Sequence, residues 1–346
     1  MFQSRFNLPS ISAWRARLRR QILFFKVLLH RARTSKKLII VIRASGMGDI
    51  IDTLPACRRL AAENPACELV YITNPHFSPL FAMAGFSVRL IEDIQCELPA
   101  IAYRWFRVYR LMCSDDWMEE ARVNVMDEFA ASCGLPVRSE DSQQLFLSEP
   151  LLKKTQKQID ELKAGRDLVI IHTGPTDKVR EWPLEKWTEL VQMLATRNIA
   201  VVQIGRNYHT RWGNSQNCHI EGAIDKLDML SVEETACWIS LSNCYIGIIS
   251  GPLHIAVAVG TPAIAIVGPA LATVRFRQEA RVRSVTASDV SCVGCHHRVP
   301  RLHWSSGCPY DVVCMSKLQP QDVFNAVLVG LEKEMQRGMP QSFQQS

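Results

Sequence analysis

Residues 37–63 read KLIIVIRASGMGDIIDTLPACRRLAAE. The apolar, β-branched run from Lys37 to Arg43 predicts a buried strand, which gives way to the glycines at 46 and 48. From Asp49 to Glu63 the apolar residues recur at the spacing of an amphipathic helix. A strand that turns through glycine into a helix is the first unit of a parallel α/β sheet.

The same pattern continues downstream and then starts again in the second half of the chain. In the first half it predicts strands at 68–73 and 87–91 and a helix at 79–84. In the second half it predicts strands at 167–172, 199–204, 245–249 and 263–267, and helices at 184–197, 236–242 and 251–259. We therefore predict two doubly wound Rossmann-like domains that face a cleft, as in GT-B proteins, although two-domain dehydrogenases and periplasmic binding proteins share this coarse pattern.

The chain is 346 residues long, which favours two cores over one. We divide it into a basic amphipathic arm (1–37), an N-terminal domain (38–155), a C-terminal domain (156–332) and a polar tail (333–346). The C-terminal domain includes a cysteine-rich segment at 291–317. The cleft between the two domains is the expected site of function.

The net charge of +6 comes from the arm. Residues 1–37 contain ten lysines and arginines and no acid, which leaves 30 basic against 34 acidic residues elsewhere. A basic arm on a slightly acidic body argues against a nucleic-acid binder and favours an anionic membrane or glycolipid. The apolar run at 22–29 is too short to cross a bilayer, and no signal-peptide cleavage site follows it. We therefore expect a cytoplasmic protein, peripheral on the inner face of the membrane.

Asp49 is the candidate catalytic residue. It follows the turn Gly46-Met47-Gly48 at the end of the first strand, where backbone amides can approach an anion and a carboxylate can project into the cleft. The alternative is that Asp49 only caps the helix. A dinucleotide-binding turn would need a third glycine where Ile51 stands, so a nicotinamide-dependent dehydrogenase is disfavoured.

Two segments of the second half are candidates for binding a diphosphate. Thr173 and Gly174 follow a strand and precede the cations Lys178 and Arg180, which suit a phosphate clamp, although a solvated basic loop explains them equally well. The second segment closes another strand and opens a helix, and it consists of Ser250, Gly251, Pro252, Leu253 and His254. His254 either faces a phosphate or is a core histidine.

Four cysteines lie within the 23 residues from 292 to 314, namely Cys292, Cys295, Cys308 and Cys314. Their spacing, with glycines at 294 and 307, is that of a structural zinc or iron site. The alternative is reduced, unligated thiols, and a neighbouring histidine (His296, His297 or His303) can replace one cysteine. Four soft ligands leave no open position for catalysis.

Together these motifs resemble glycosyltransferase family 9, the ADP-heptose:lipopolysaccharide heptosyltransferases. The resemblance rests on Ser45-x-x-Gly48-Asp49 with Leu54-Pro55-Ala56, Arg180-x-Trp182-Pro183, Ser250 to His254, Gly260-Thr261-Pro262 and Val267-Gly268-Pro269. It implies inverting transfer of a heptose from an ADP-activated donor to the inner core of lipopolysaccharide, with the acceptor in the N-terminal half and the nucleotide in the C-terminal half. Asp49 matches the catalytic base of the family, and Arg180 stands where members carry a phosphate-binding lysine.

The resemblance also has implications for cofactors and for alternative functions of the chain. No cofactor is expected for catalysis if cations replace a divalent metal, and some relatives carry a comparable cysteine cluster, including an iron-binding finger. Members of the family usually have an aspartate before the Ser/Thr-Gly pair, where this chain has Ile249. The alternatives are therefore a catalytically impaired sugar-nucleotide-binding scaffold, or a transferase with a different donor sugar or a protein acceptor.

Overall fold

The structure is a computed structural model, and it describes residues 11–44, 46–94, 96–111, 124–174, 178–210, 213–215, 217–277, 281–297 and 307–338. It contains two parallel-sheet α/β domains, which confirms the fold class predicted from the sequence. Each domain is built around the apolar strands that the sequence indicated.

The first domain holds a four-stranded sheet in the order β3-β2-β1-β4, with all neighbours parallel. Its strands are β1 (Lys37–Ile42), β2 (Cys67–Thr73), β3 (Arg89–Glu92) and β4 (Arg107–Arg110). Its helices are α1 (Ile11–Arg33), α2 (Met47–Glu63), α3 (Ala102–Trp105) and α4 (Val125–Ser132), and Pro75–Met83 forms a 3-10 helix.

The second domain holds a six-stranded parallel sheet in the order β12-β11-β10-β5-β6-β9. Its strands are β5 (Asp167–His172), β6 (Ile199–Gly205), β9 (Ile224–Leu227), β10 (Cys244–Ile248), β11 (Ala263–Ile266) and β12 (Val282–Val285), and an antiparallel pair is formed by β7 (Tyr208–Thr210) and β8 (Gly213–Ser215). Its helices are α5 (Glu149–Lys163), α6 (Leu184–Thr196), α7 (Val232–Ser240), α8 (Gly251–Ala258), α9 (Ala272–Arg275), α10 (Val313–Ser316) and α11 (Pro320–Gly338). Residues Lys178–Arg180 and Cys295–His297 form single 3-10 turns.

The helices cover both faces of each sheet because the central strands are apolar on both faces. In β1, Ile39 and Val41 face a core that includes α2, whereas Ile40 and Ile42 face a second core that includes α1. This alternation is the period of two expected for a strand buried on both sides.

All three predicted domain limits fall inside structural units: 37/38 in β1, 155/156 in α5 and 332/333 in α11. Residue 155 lies within α5, where Thr155 is buried, and α5 packs against α7 of the second domain. The arm is also tied to the body, because Leu23, Phe24 and Val27 of α1 are buried on the first sheet. In the described part of the chain, none of the helices combines the length and apolar character needed to cross a bilayer.

Candidate functional site

The predicted site residues lie where the strand order of each sheet reverses. In the first sheet the chain leaves β1 towards β2 on one side, and β4 lies on the other. In the second sheet β5 leads to β6, and β10 on its other side leads to β11. Loops diverge at such points and leave a crevice at the carboxyl ends of the strands, where α/β proteins bind ligands. Asp49 follows β1, Thr173 and Gly174 follow β5, and Ser250 follows β10.

The two helices that begin at these crevices, α2 and α8, pack against each other across the domains. A Cβ atom at Gly48 would lie 2.5 Å from the His254 ring, and one at Gly251 would lie 2.9 Å from the Cβ of Met47. These glycines therefore let the helix ends of the two domains meet. The sequence predicts that these turns bind an anion through their backbone amides; in this structure a side chain of the opposite helix lies on the Cβ side of each glycine.

Gly46 has a separate role. Its φ of 78° lies in the left-handed region that favours glycine, and a Cβ there would collide with the carboxylate of Asp49. The turn thus places Asp49 in the first turn of α2, directed back over the loop.

Two guanidinium groups hold the Asp49 carboxylate. Arg43, at the end of β1, donates from Nη2 to Oδ2, and Arg275 of the second domain donates from Nη1 to Oδ1 over 2.7 Å. Burial raises the pKa of Asp49, but Arg275 and Arg43 outweigh burial and hold it below the ordinary value of 3.8. Asp49 is therefore ionised at neutral pH. Its side chain remains 19% exposed.

Asp52, one turn further along α2, is the centre of a buried network that the sequence reading missed. Its side chain is fully buried, and Oδ1 lies 2.9 Å from Nδ1 of His254 and accepts a hydrogen bond from Nε2 of Gln143. Arg275 Nη1 lies 3.8 Å from the other carboxylate oxygen. Asp52 thus connects α2 to two elements of the second domain, α8 and α9.

His254 is a buried histidine in this structure. Its side chain is 4% exposed, its ring lies 4.7 Å from that of Phe276, and its Nδ1 faces Asp52. His254 is thus surrounded by buried side chains, which is the environment of the core alternative considered from the sequence. Leu253 is fully buried as well, and its backbone amide donates to the Ser250 carbonyl over 3.1 Å.

The start of α8 is held against β5 by polar contacts. Ser250 Oγ lies 3.2 Å from His172 Nδ1, and Arg180 Nη1 donates to the Ile249 carbonyl over 2.6 Å. Burial, aided by Arg180, lowers the pKa of His172 to about 4, so this histidine is neutral at pH 7. Arg180 thus adds positive charge beside the N-terminus of α8, where Ser250, Gly251 and Pro252 form the turn. His172 was not identified from the sequence, because a histidine at a strand end carries no distinctive pattern.

Thr173 and Lys178 line a cavity of about 400 Å³ in the second domain. Trp182 and Trp187 form one wall, and Asp311 from the end of the cysteine-rich segment also borders it. Gly174 packs against Asn217, where a side chain would not fit. The cavity has the size of a small-molecule site and brings the predicted phosphate clamp and the cysteine-rich segment together. Residues 175–177 lie outside the described part of the chain.

The cysteine-rich segment packs on the turn Gly268-Pro269. The amides of Gly294 and His296 donate to the carbonyls of Gly268 and Pro269, and a Cβ at Gly268 would lie 3.2 Å from Cys314 Sγ. Burial, followed by the thiols of Cys292, Cys295 and Cys308, raises the pKa of Cys314 to about 11. Among the described residues, however, no group of three or more His, Cys, Asp or Glu is arranged to hold a metal ion. Residues 298–306, with His303, lie outside the described ranges.

Comparison with known families identifies the chain. Residues 105–302, more than half of the chain, match the model of glycosyltransferase family 9 (heptosyltransferase). The chain belongs to this family. It is therefore a glycosyltransferase, and the prediction made from its motifs is confirmed. Among curated protein sequences, no relative matches the chain.

Solved structures show that the fold is shared by family 9 enzymes. The iron-containing dodecameric glycosyltransferase TibC from enterotoxigenic E. coli H10407 is 20% identical, with a TM-score of 0.64 over 87% of this chain and 77% of that one. TibC in complex with ADP-D-beta-D-heptose gives 17% identity and a TM-score of 0.63 over the same shares. The E. coli ADP-heptose LPS heptosyltransferase II is 15% identical, with a TM-score of 0.63 over 86% of this chain and 99% of that one. At these identities the likeness shows the GT-B fold alone.

Proposed function

We propose that this glycosyltransferase transfers a heptose or a related sugar, with inversion, from an ADP-activated donor to a hydroxyl of an anionic glycolipid similar to the lipopolysaccharide core. The main support is the position of Asp49. This ionised, partly exposed carboxylate lies at the switch point of the first sheet and is directly linked to the second domain through Arg275.

The proposed chemistry is a single displacement. Asp49 takes the proton of the acceptor hydroxyl, whose oxygen forms a bond to the anomeric carbon. The bond from that carbon to the ADP oxygen breaks at the same time, and ADP leaves with the electron pair. Attack on the face opposite the leaving group inverts the anomeric centre and needs only one base.

The donor diphosphate is proposed to bind at the second switch point. The N-terminus of α8 at Ser250 and Gly251 presents backbone amides, Arg180 lies beside it, and Lys178 lines the adjoining cavity. Cations and amides at this position stabilise the charge that develops on departing ADP, which removes the need for a divalent metal. The solved complex of the relative TibC with ADP-D-beta-D-heptose supports an ADP-sugar as donor.

Ile249 bears on the identity of the donor sugar. Its side chain is only 5% exposed and belongs to the apolar core, so this position offers the donor a backbone carbonyl that Arg180 already engages. Hydroxyl contacts made by an aspartate elsewhere in the family must come from other groups here. A donor other than the usual heptose is therefore included in the test below.

ADP release from a panel of ADP- and UDP-sugars, measured with and without glycolipid acceptor, tests the proposed function. We expect ADP-heptose or a closely related ADP-sugar to give acceptor-dependent release, and UDP-sugars to give none. The absence of release from every donor, with ADP binding retained in calorimetry, would instead support the catalytically impaired scaffold. If ADP release requires a protein acceptor, the acceptor in the proposal would be a protein instead of a glycolipid.

We also propose that Cys292, Cys295, Cys308 and Cys314 hold a structural zinc or iron ion. The support is the chemistry of four thiol donors, of which Cys292, Cys295 and Cys308 lie close enough to Cys314 to raise its pKa. Binding energy at such a site becomes local folding energy for the segment at 291–317. No step of the transfer depends on this metal.

Elemental analysis tests this site, on protein purified without chelator and without a metal-affinity column. We expect about one zinc or iron per chain. Cys295→Ser should lower the metal content and make the segment more sensitive to protease, whereas Cys67→Ser on β2 should change neither. An active preparation without metal, with all four thiols free, would contradict the proposal.

A further inference from the structure

Helix α1 has two apolar faces, and only one of them is covered by the protein. Leu23, Phe24 and Val27 are buried on the first sheet. On the opposite face an apolar stripe is exposed, formed by Trp14 (59%), Leu18 (44%), Ile22 (49%), Phe25 (63%) and Leu29 (42%). A surface helix normally turns polar residues outward, so an exposed apolar stripe indicates a surface that binds a partner.

The spacing of the stripe residues shows that they form one line. Their separations of three or four residues place them on one side of a helix with 3.6 residues per turn, over a length of about 22 Å. Arg15, Arg19, Lys26 and Arg33 lie along one flank of this line and are exposed. The apolar line and its basic flank have the composition of helices that lie in the interface of an anionic membrane.

Neighbouring parts of the first domain extend this surface. A groove of about 700 Å³ between α1 and the edge strand β3 is lined by Arg19, Lys26, His30, Arg33 and Arg89, with Glu92 and Asp93 at one end. Ile94, which is 70% exposed, also borders the groove, and the 61% exposed Trp105 packs on Phe24 at the other side of the helix. Bases beside exposed aromatic and aliphatic side chains suit lipid phosphates and the adjoining acyl chains.

From these observations we propose that the outer face of α1 docks on an anionic phospholipid leaflet, with the stripe in the interfacial region and its basic flank and groove on the lipid phosphates. Repulsion between like charges disfavours a second copy of the chain as the partner of this face. Pairing two copies through this face would bring together arms that each carry ten bases and no acid in residues 1–37. The proposal relies on the proposed function only for the location of a glycolipid acceptor, and α1 lies outside the family match at 105–302.

The test is cosedimentation of the full-length protein with vesicles of phosphatidylcholine, with and without phosphatidylglycerol. The wild type should bind the anionic vesicles and release them at high salt, and it should bind pure phosphatidylcholine weakly. The double variant Leu18→Ser/Phe25→Ser should bind anionic vesicles at least about tenfold more weakly, because it loses two apolar contacts with the interface. Deletion of α1 is unsuitable, because it would uncover the core against which Leu23 and Val27 pack.

Val137→Ser/Met229→Ser is the matched control, since these exposed apolar residues lie away from α1 (54% and 61%). It should bind like the wild type, and circular dichroism should show both variants folded. Unchanged vesicle binding of the stripe variant would overturn the proposal. A second result would also overturn it: light scattering shows a dimer for the wild type but not for the stripe variant, and neither protein binds vesicles. The vesicles contain no sugar nucleotide and no acceptor, so this result is independent of transferase activity.

Discussion

Replacing Asp49 by asparagine is expected to lower the rate of sugar transfer by about 100- to 10,000-fold, the usual loss when a general base is removed. The amide keeps the size of the side chain, and its oxygen can still accept a hydrogen bond from one of the two guanidinium groups, Arg43 or Arg275, which bind different oxygens of the carboxylate. It cannot take a proton from the acceptor hydroxyl at neutral pH. Acceptor-dependent ADP release under saturating donor measures the loss.

Two controls separate catalysis from folding in this variant. Glu63→Gln removes a carboxylate at the other end of α2, where the side chain is 43% exposed, and should retain the wild-type rate. Asp49→Asn should bind ADP with wild-type affinity, because the proposed diphosphate site lies in the second domain. Wild-type turnover of Asp49→Asn would show that Asp49 only anchors Arg43 and Arg275 at the start of α2.

The regular parts of this fold could be predicted because their sequence signals are local. β1, β5 and β10 are continuous apolar runs that end at small residues, and the helices α2 and α8 begin directly after these turns. The sequence does not predict β4, because its four residues, Val and Tyr between two arginines at a sheet edge, are too short a pattern to separate from a loop. A short edge strand of this kind takes its structure from its neighbour β1.

The basic arm shows a second limit of structure prediction from the sequence. The seven apolar residues between 22 and 29, interrupted by Lys26, are distributed around α1, so the sequence predicts one membrane-facing stripe where the structure has two apolar faces. Which residues turn inward is decided by the docking of α1 on β1 and β2. Point substitutions on the outer face are therefore a sharper experiment than removal of the arm.

The site was predictable only in part, because its partners are far apart in sequence. Asp49 stands at a strand end, a position that suggests a cleft residue, but Arg275 is 226 residues away and follows no motif. Asp52 and His254 are 202 residues apart. Only the meeting of α2 with α8 brings them together, and that contact depends on Gly48 and Gly251, whose signal in the sequence was read as an anion site.

Asp52 gives the second prediction, which concerns the link between the domains. Asp52→Ala leaves Nδ1 of His254 and Nε2 of Gln143 without the carboxylate they share, in a place that water does not reach. Gln143 Nε2 keeps the Arg275 carbonyl as an acceptor over 3.4 Å, so His254 Nδ1 is the group left without a partner. A buried polar group without its partner costs about 1–3 kcal/mol, and we expect the free energy of unfolding to fall by about that amount. Urea denaturation followed by tryptophan fluorescence measures this change.

Asp127→Ala is the matched control, because Asp127 also bridges the domains, through Arg277, but is 21% exposed. Solvent can replace that ion pair, so its loss should cost less than about 1 kcal/mol. Asp52→Ala should also slow transfer, since Arg275 loses the nearby carboxylate that helps hold it beside Asp49. Equal stability of the two variants would contradict the role of Asp52 as the buried link. Loss of stability with full activity would show that Asp52 holds the domains together without positioning Arg275.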